Sequence, residues 1–153
     1  MYDAIGKMRR TIAIRLGPGE DIYLKIIDAC NKYKILNGVI VTGIGSVRKA
    51  RFFNPIPIPH KKAGYGYSAP IELDGPIELI SMNGMISHEG DEVLIHVHCS
   101  FSDREGNGYG GHLIEGNIVL LTTDIIIAEI EGIDMTRKYD EELEVPIFRP
   151  IQI

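Results

Sequence analysis

The sequence has no tryptophan, a single glutamine (Gln152) and only two cysteines, Cys30 and Cys99, among its 153 residues. Two cysteines are too few for a disulfide scaffold or a cysteine-based zinc cluster, so both read as buried thiols in a reducing compartment. No stretch approaches the ~18 unbroken apolar residues of a membrane-spanning helix, and no membrane partner is expected. The opening MYDAIGKMRR lacks the apolar core and small-residue cleavage site of a secretory signal, which makes the cytoplasm the expected location. Basic residues are in the minority: 16 Lys and Arg face 21 Asp and Glu, for a formal net charge of -5. A field of that sign repels phosphate backbones, so DNA contact needs a local basic patch. The candidates are Lys7, Arg9 and Arg10 near the N-terminus and Arg48, Lys49 and Arg51 after GIGSV. Nucleotide and serine-nucleophile signatures are missing as well. The glycines of VTGIGSV stop short of a dinucleotide fingerprint, no GK[ST] occurs, and no serine sits in a Gly-x-Ser-x-Gly elbow.

What is abundant is isoleucine, with 26 copies, a β-branched residue that favours sheet. The length suits one core, with an N-terminal segment over 1–10, a single domain over 11–148 and a tail over 149–153. Thr11 to Leu16 alternates as a strand, and the turn residues GPGED lead into a helix beginning near Asp21. Ile22, Ile26, Ala29, Cys30 and Tyr33 then recur at three- and four-residue spacing, with Lys32 and Lys34 in the last turn, where the dipole favours cations. The run VIVTGIG reads as a strand buried on both faces. Further strands are expected near Ser46–Phe53, Ile77–Ile86 and Glu92–Phe101, and two more between Tyr109 and Ile130. FNPIPIPHKKAGYGYSAP reads as a long surface loop, because its prolines cannot hold a ladder. Residues from Asp134 onward read as an acidic tail. One helix among many strands predicts an α+β fold built on a largely antiparallel sheet sandwich.

The histidines carry the chemistry. In VLIHVHCSF, Val93, Ile95, Val97, Cys99 and Phe101 share one face, which is core, while Leu94, His96, His98 and Ser100 share the other. If SDREGNG is a hairpin turn centred near Glu105, paired residue numbers sum to about 210, which sets His112 beside His98 with Cβ atoms roughly 5 Å apart. Three imidazoles at ~2.0 to 2.1 Å suit Zn²⁺, and three protein ligands with an open fourth position mark a catalytic rather than a structural site. The competing reading is a half-exposed polar sheet face, and a one-residue slip in the turn would send His112 to the core side. Cys99 points into the core and is not expected to ligate, and His60 and His88 read as solvated loop residues. Glu78, among the apolar neighbours of PIELISMNG, either reaches a cation or edges the sheet. Arg137 and Asp140 in TRKYD either form a surface ion pair or line a pocket.

Taken in order from Arg15 to Asp140, the segments RLGPGEDIYLKII, IVTGIGSV, GPIELISMNGMIS, HVHCSFSDREGNGYGGH and MTRKYD resemble the plant and prokaryote conserved (PPC) domain. His-x-His followed by Tyr-Gly-Gly-His is the most specific part. The resemblance implies a sandwich-like α+β homotrimer with pockets near subunit boundaries, and its members are commonly described as candidate DNA-binding proteins. The Arg-Gly-Arg-Pro core of the AT-hook that accompanies the domain in plants is absent. The fold also resembles that of acetolactate decarboxylase, a zinc lyase. That similarity implies His96, His98 and His112 as ligands of Zn²⁺ or another divalent transition metal, with Glu78 and Arg137 as pocket groups. The expected function is therefore a regulatory or DNA-associated metal-binding homotrimer that contacts DNA weakly. The alternative is a zinc-dependent lyase or hydrolase whose Arg137 holds the carboxylate of a small substrate; a purely structural trimer with empty histidines is a third reading.

Overall fold

The computed structural model describes residues 1–153. In chain order the elements are β1 (Lys7–Leu16), α1 (Ile22–Tyr33), β2 (Gly38–Phe53), β3 (Pro55–Pro57), β4 (Tyr65–Tyr67), β5 (Ile71–Glu89), β6 (Glu92–Ser102), β7 (Gly108–Leu113), β8 (Ile118–Glu131), β9 (Ile133–Asp140) and β10 (Val145–Gln152). Eight strands form one sheet in the order β1-β8-β2-β7-β6-β5-β9-β10, and β3 pairs with β4 separately. A further pairing of β2 with β5 closes β2, β7, β6 and β5 into a ring. All ladders are antiparallel apart from a single parallel contact between His88 and Thr136. The fold is thus the expected sheet-dominated α+β arrangement with one helix. β2 reaches three partners because irregularities in its register, between Ile40 and Thr42 and again between Gly45 and Lys49, bend it from one to the next.

The helix begins where the turn and acidic residues place it. Asp21 is its N-cap and accepts from Leu24 N at 3.2 Å, while its second oxygen accepts from Gly116 N at 2.7 Å and ties the helix start to the approach to β8. Ile22, Ile26, Ala29 and Cys30 are buried against the sheet, each isoleucine contributing roughly 1.5–3 kcal/mol by burial. Tyr33, expected on the same stripe, is exposed because the helix ends there, with Lys34 in the left-handed cap. Phe52 and Phe101 stack at 5.8 Å in the middle of the core. Both thiols lie in that core, where loss of solvation pushes Cys30 and Cys99 up to about 12.

Three expectations differ from the structure. VIVTGIG is not buried on both faces: Val41, Thr42 and Ile44 are exposed, since only one side of β2 meets the core. The proline-rich loop contains the β3–β4 hairpin, whose two short strands tolerate Pro55 and Pro57 because they lie outside the main sheet. The acidic tail is a second hairpin, β9–β10, paired from Ile133 to Gln152. No helix is long and apolar enough to cross a membrane.

Candidate metal centre

The centre is built on the β6–β7 hairpin, and one carboxylate sets its register. Asp103 Oδ1 accepts from Glu105 N and Asn107 N, while Oδ2 accepts from Asn107 Nδ2 and the Tyr109 hydroxyl. These bonds, that from Asn107 foremost, hold the Asp103 carboxyl below its ordinary value. The turn so fixed pairs His98 with His112 and keeps both rings off the core face. On the flanking strands Asn83 stands opposite His98 and Phe53 opposite His112, giving a row Asn83, His98, His112, Phe53 across four strands. Met85 stands opposite His96 in the next row.

The glycines before His112 have a steric role. A Cβ on Gly110 would come within 2.6 Å of the Cys99 carbonyl, and one on Gly111 within 2.4 Å of Asn54 Oδ1. Asn54 in turn donates to the Gly110 carbonyl at 3.1 Å and anchors the β3–β4 hairpin through Ser68. That hairpin delivers Tyr67, whose ring lies 5.5 Å from His112, while Phe53 stacks flat on His112 at 4.8 Å and 6°. Phe53, Tyr67 and Asn54 were not legible as site residues; the proline-rich segment signalled only a long surface loop.

One ring nitrogen from each of His96, His98 and His112 falls within 4.8 Å of the others, and His96 Nε2 is 3.2 Å from His98 Nε2. Loss of solvation, followed by the charge of Arg137 and of His98, lowers His96; loss of solvation and then the neighbouring histidines push His112 down to about 4. No carboxylate is among the charges acting on either ring. His112 Nδ1 is buried without a hydrogen-bond partner, an arrangement that costs free energy until something binds it. Neutral, convergent imidazoles with an unsatisfied ring nitrogen are a donor set that fits a divalent transition metal.

The His112 shift has a measurable consequence. Above pH 6.5 the folded and unfolded chains both hold a neutral ring; below it the unfolded chain takes up a proton that the folded chain refuses until about 4. Metal-free protein should therefore lose thermal stability as the pH falls from 6.5 towards 4, and His112→Phe should flatten that slope. Thermal unfolding over this pH series is the check, and equal slopes in both proteins would contradict the assignment.

The other candidate residues separate into those near the histidines and those far from them. Arg137 is close enough for its charge to act on His96 and His112; its Nε donates to Ser87 Oγ at 2.9 Å, Nη1 donates to the Pro146 carbonyl at 3.3 Å, and Nη2 is buried without a partner. It makes no ion pair with Asp140, whose Oδ1 accepts from Glu142 N and Leu143 N in the β9–β10 turn. Glu78 lies elsewhere: exposed, opposite Ser46 and Ser102, and lining a separate cavity of about 300 Å³. His60 is exposed as expected. His88 is not a solvated loop residue; it is half-buried on β5, with Nε2 2.6 Å from Asp134 Oδ1 and Nδ1 2.8 Å from the Gly90 carbonyl. Cys99 stays on the core face, its thiol donating to the Gly111 carbonyl at 3.5 Å. Of the basic candidates, Lys49 and Arg51 both reach Glu72, at 2.8 and 3.0 Å, and Arg48 is exposed. Lys7 lies 3.8 Å from Glu131, and Arg9 and Arg10 lie 3.9 and 2.6 Å from Glu129.

Solved structures share this fold over most of their length. A plant- and prokaryote-conserved (PPC) protein from Pyrococcus horikoshii is 27% identical, with a TM-score of 0.81 and all of both chains covered. The metal-containing protein AF0104 from Archaeoglobus fulgidus is 23% identical, with a TM-score of 0.81, covering 97% of this chain and 99% of its own. A protein from Bacteroides thetaiotaomicron described as a candidate DNA-binding protein is 19% identical, with a TM-score of 0.78 and coverage of 94% and 96%. Among curated proteins, the chain is 22% identical over 120 residues to the bifunctional protein GlmU of a Synechococcus strain, covering 78% of this chain. It spans only 17% and 18% of the length of the curated relatives it matches. The profile of the Plants and Prokaryotes Conserved (PCC) domain matches residues 4–131, which takes in β1 through β8 and all three histidines, and the chain belongs to that family.

Proposed function

We propose that the chain is a regulatory module that binds one divalent transition metal, Zn²⁺ first among them, through His96, His98 and His112, and that it works as a cytoplasmic homotrimer. The observation that carries this reading is the convergence of three ring nitrogens within 4.8 Å on a non-core sheet face. The metal-containing relative of the same fold supports it. Three protein ligands leave a fourth position for an exchangeable ligand, through which a metal module can respond to a small molecule. Elemental analysis of protein purified without a histidine tag is the direct test, with about one metal per chain expected.

Relatives described as candidate DNA-binding proteins favour a nucleic-acid partner for the same module. The local charges limit its strength, since five of the six candidate cations already face carboxylates and Arg48 alone makes no ion pair. With one unpaired cation among these six in each chain, contact through these two patches should give a logarithm of affinity that falls with the logarithm of salt with a slope of about -0.9 per chain on random duplexes. Fluorescence anisotropy across a salt series measures this. Tight, sequence-selective binding at physiological salt would make DNA the primary partner.

Arg137 favours a second reading, a zinc-dependent lyase or hydrolase acting on a small carboxylate-bearing substrate. It is a half-buried cation whose polar partners are a hydroxyl and a carbonyl, with no acidic side chain among them. A metal held by three neutral imidazoles beside it would add two further positive charges, and an anion would balance them.

A further inference from the structure

Next to the histidines lies an open cavity of about 460 Å³. β2 contributes Val39 and Ile40 to its lining, β5 contributes Asn83, Gly84 and Met85, and His96 and His98 form the rest. No Asp, Glu, Lys or Arg lines it. Asn83 is the one polar side chain there apart from the imidazoles. It stands directly opposite His98, it is exposed, and its amide makes no hydrogen bond within the chain.

Asn83 shares that idleness only with Asn31 on α1. Of the six asparagines in the sequence, Asn37, Asn54, Asn107 and Asn117 each hold backbone or turn structure with their amides. Asparagine is also disfavoured inside strands, where it packs poorly and competes for backbone hydrogen bonds. Asn83 sits mid-way along β5 beside Met82 and Gly84, where a β-branched residue would serve the sheet better. What distinguishes its position is the pairing with His98 and the cavity beside it.

We propose that Asn83 binds the exchangeable ligand of the metal centre and selects its class: a short-chain carboxylic acid or analogue, with oxygen donors for the metal and an uncharged, apolar tail. The amide Nδ2 donates to the ligand's oxygens, while Val39 and Met85 receive the tail. A charged tail would meet no counter-charge among the residues that line this cavity. This inference rests on the metal reading above.

The test uses the full chain loaded with Co²⁺ and titrated with acetohydroxamate, followed by the visible absorption of the metal. Asn83→Ala should bind Co²⁺ with native stoichiometry and affinity, because Asn83 is not a ligand. Its affinity for acetohydroxamate should fall roughly tenfold, the scale of one lost hydrogen bond to a charged group. Native protein should also prefer acetohydroxamate to the monohydroxamate of succinic acid, which carries a charged tail. Equal acetohydroxamate affinity in native protein and Asn83→Ala would overturn the proposal. So would loss of Co²⁺ binding in the variant, which would make Asn83 a ligand rather than a selector. A native chain that takes up no Co²⁺ is a different result: it removes the metal reading, and this inference with it.

Discussion

The His98→Ala chain will bind Zn²⁺ at least about a hundredfold more weakly than the native chain, since losing even an outer-shell partner of a metal ligand costs 10- to 100-fold and this change removes a ligand. His98 is the middle member of its row, between Asn83 and His112, and its Nε2 lies 3.2 Å from that of His96. The fold should survive the change. His98 is exposed and points away from the core, so metal-free stability should move by no more than about 0.5 kcal/mol. Competition against a chromophoric chelator gives the affinity, and elemental analysis gives the native ratio of about one metal per chain. A ratio near zero after purification in zinc-containing buffer would sink the site, as would unchanged affinity in the variant.

A second large effect is expected in assembly. Leu121 on β8, Ile44 on β2 and Ile80 on β5 are 67%, 52% and 52% exposed on three strands that neighbour one another in the sheet. Apolar side chains grouped in this way on a free chain mark a surface that another molecule covers. We expect the native protein to sediment at three times its 17.0 kDa chain mass, and the double variant Ile44→Asp/Leu121→Asp to sediment as a monomer. Two carboxylates placed in a covered apolar surface would lose hydration without gaining a partner. The variant should keep its circular dichroism, because neither side chain belongs to the core. A native monomer at micromolar concentration would remove the assembly.

The histidine cluster was legible because two local rules acted together. Alternation along β6 put His96 and His98 on one face, and the Asp-Arg-Glu-Gly-Asn turn set the pairing that brings in His112. Asp103, whose side chain holds that turn in four hydrogen bonds, is the physical reason the register could be counted. The same count, made outward from the two-residue Gly90-Asp91 turn between β5 and β6, would have placed Asn83 beside His98. Tyr67 and Arg137 were of another kind. Tyr67 reaches His112 only through a hairpin pinned by Asn54, and Arg137 only because β9 docks beside β5, so both depend on contacts distant in sequence that periodicity does not encode. The acidic residues after Asp134 misled for a related reason. Charges on β9 and β10 resemble those of a solvated tail until Arg137 finds Ser87 and Gln152 finds the Ile5 and Gly132 carbonyls.

The sheet order leaves β1 and β10 as its two outermost strands. An outermost strand offers unpaired N–H and C=O groups on which another chain can grow a cross-β stack. β10 carries Pro146 and Pro150, which have no N–H to offer, and β1 carries Lys7, Arg9 and Arg10, charged side chains of the kind that discourage an added strand. Between them, β2, β7, β6 and β5 close on one another through the β2–β5 and β2–β7 pairings. A chain this rich in isoleucine and sheet would ordinarily be a candidate for fibril growth. Here both outermost strands resist growth, by missing donors on one side and by charged side chains on the other, so concentrated native protein should stay free of fibrils.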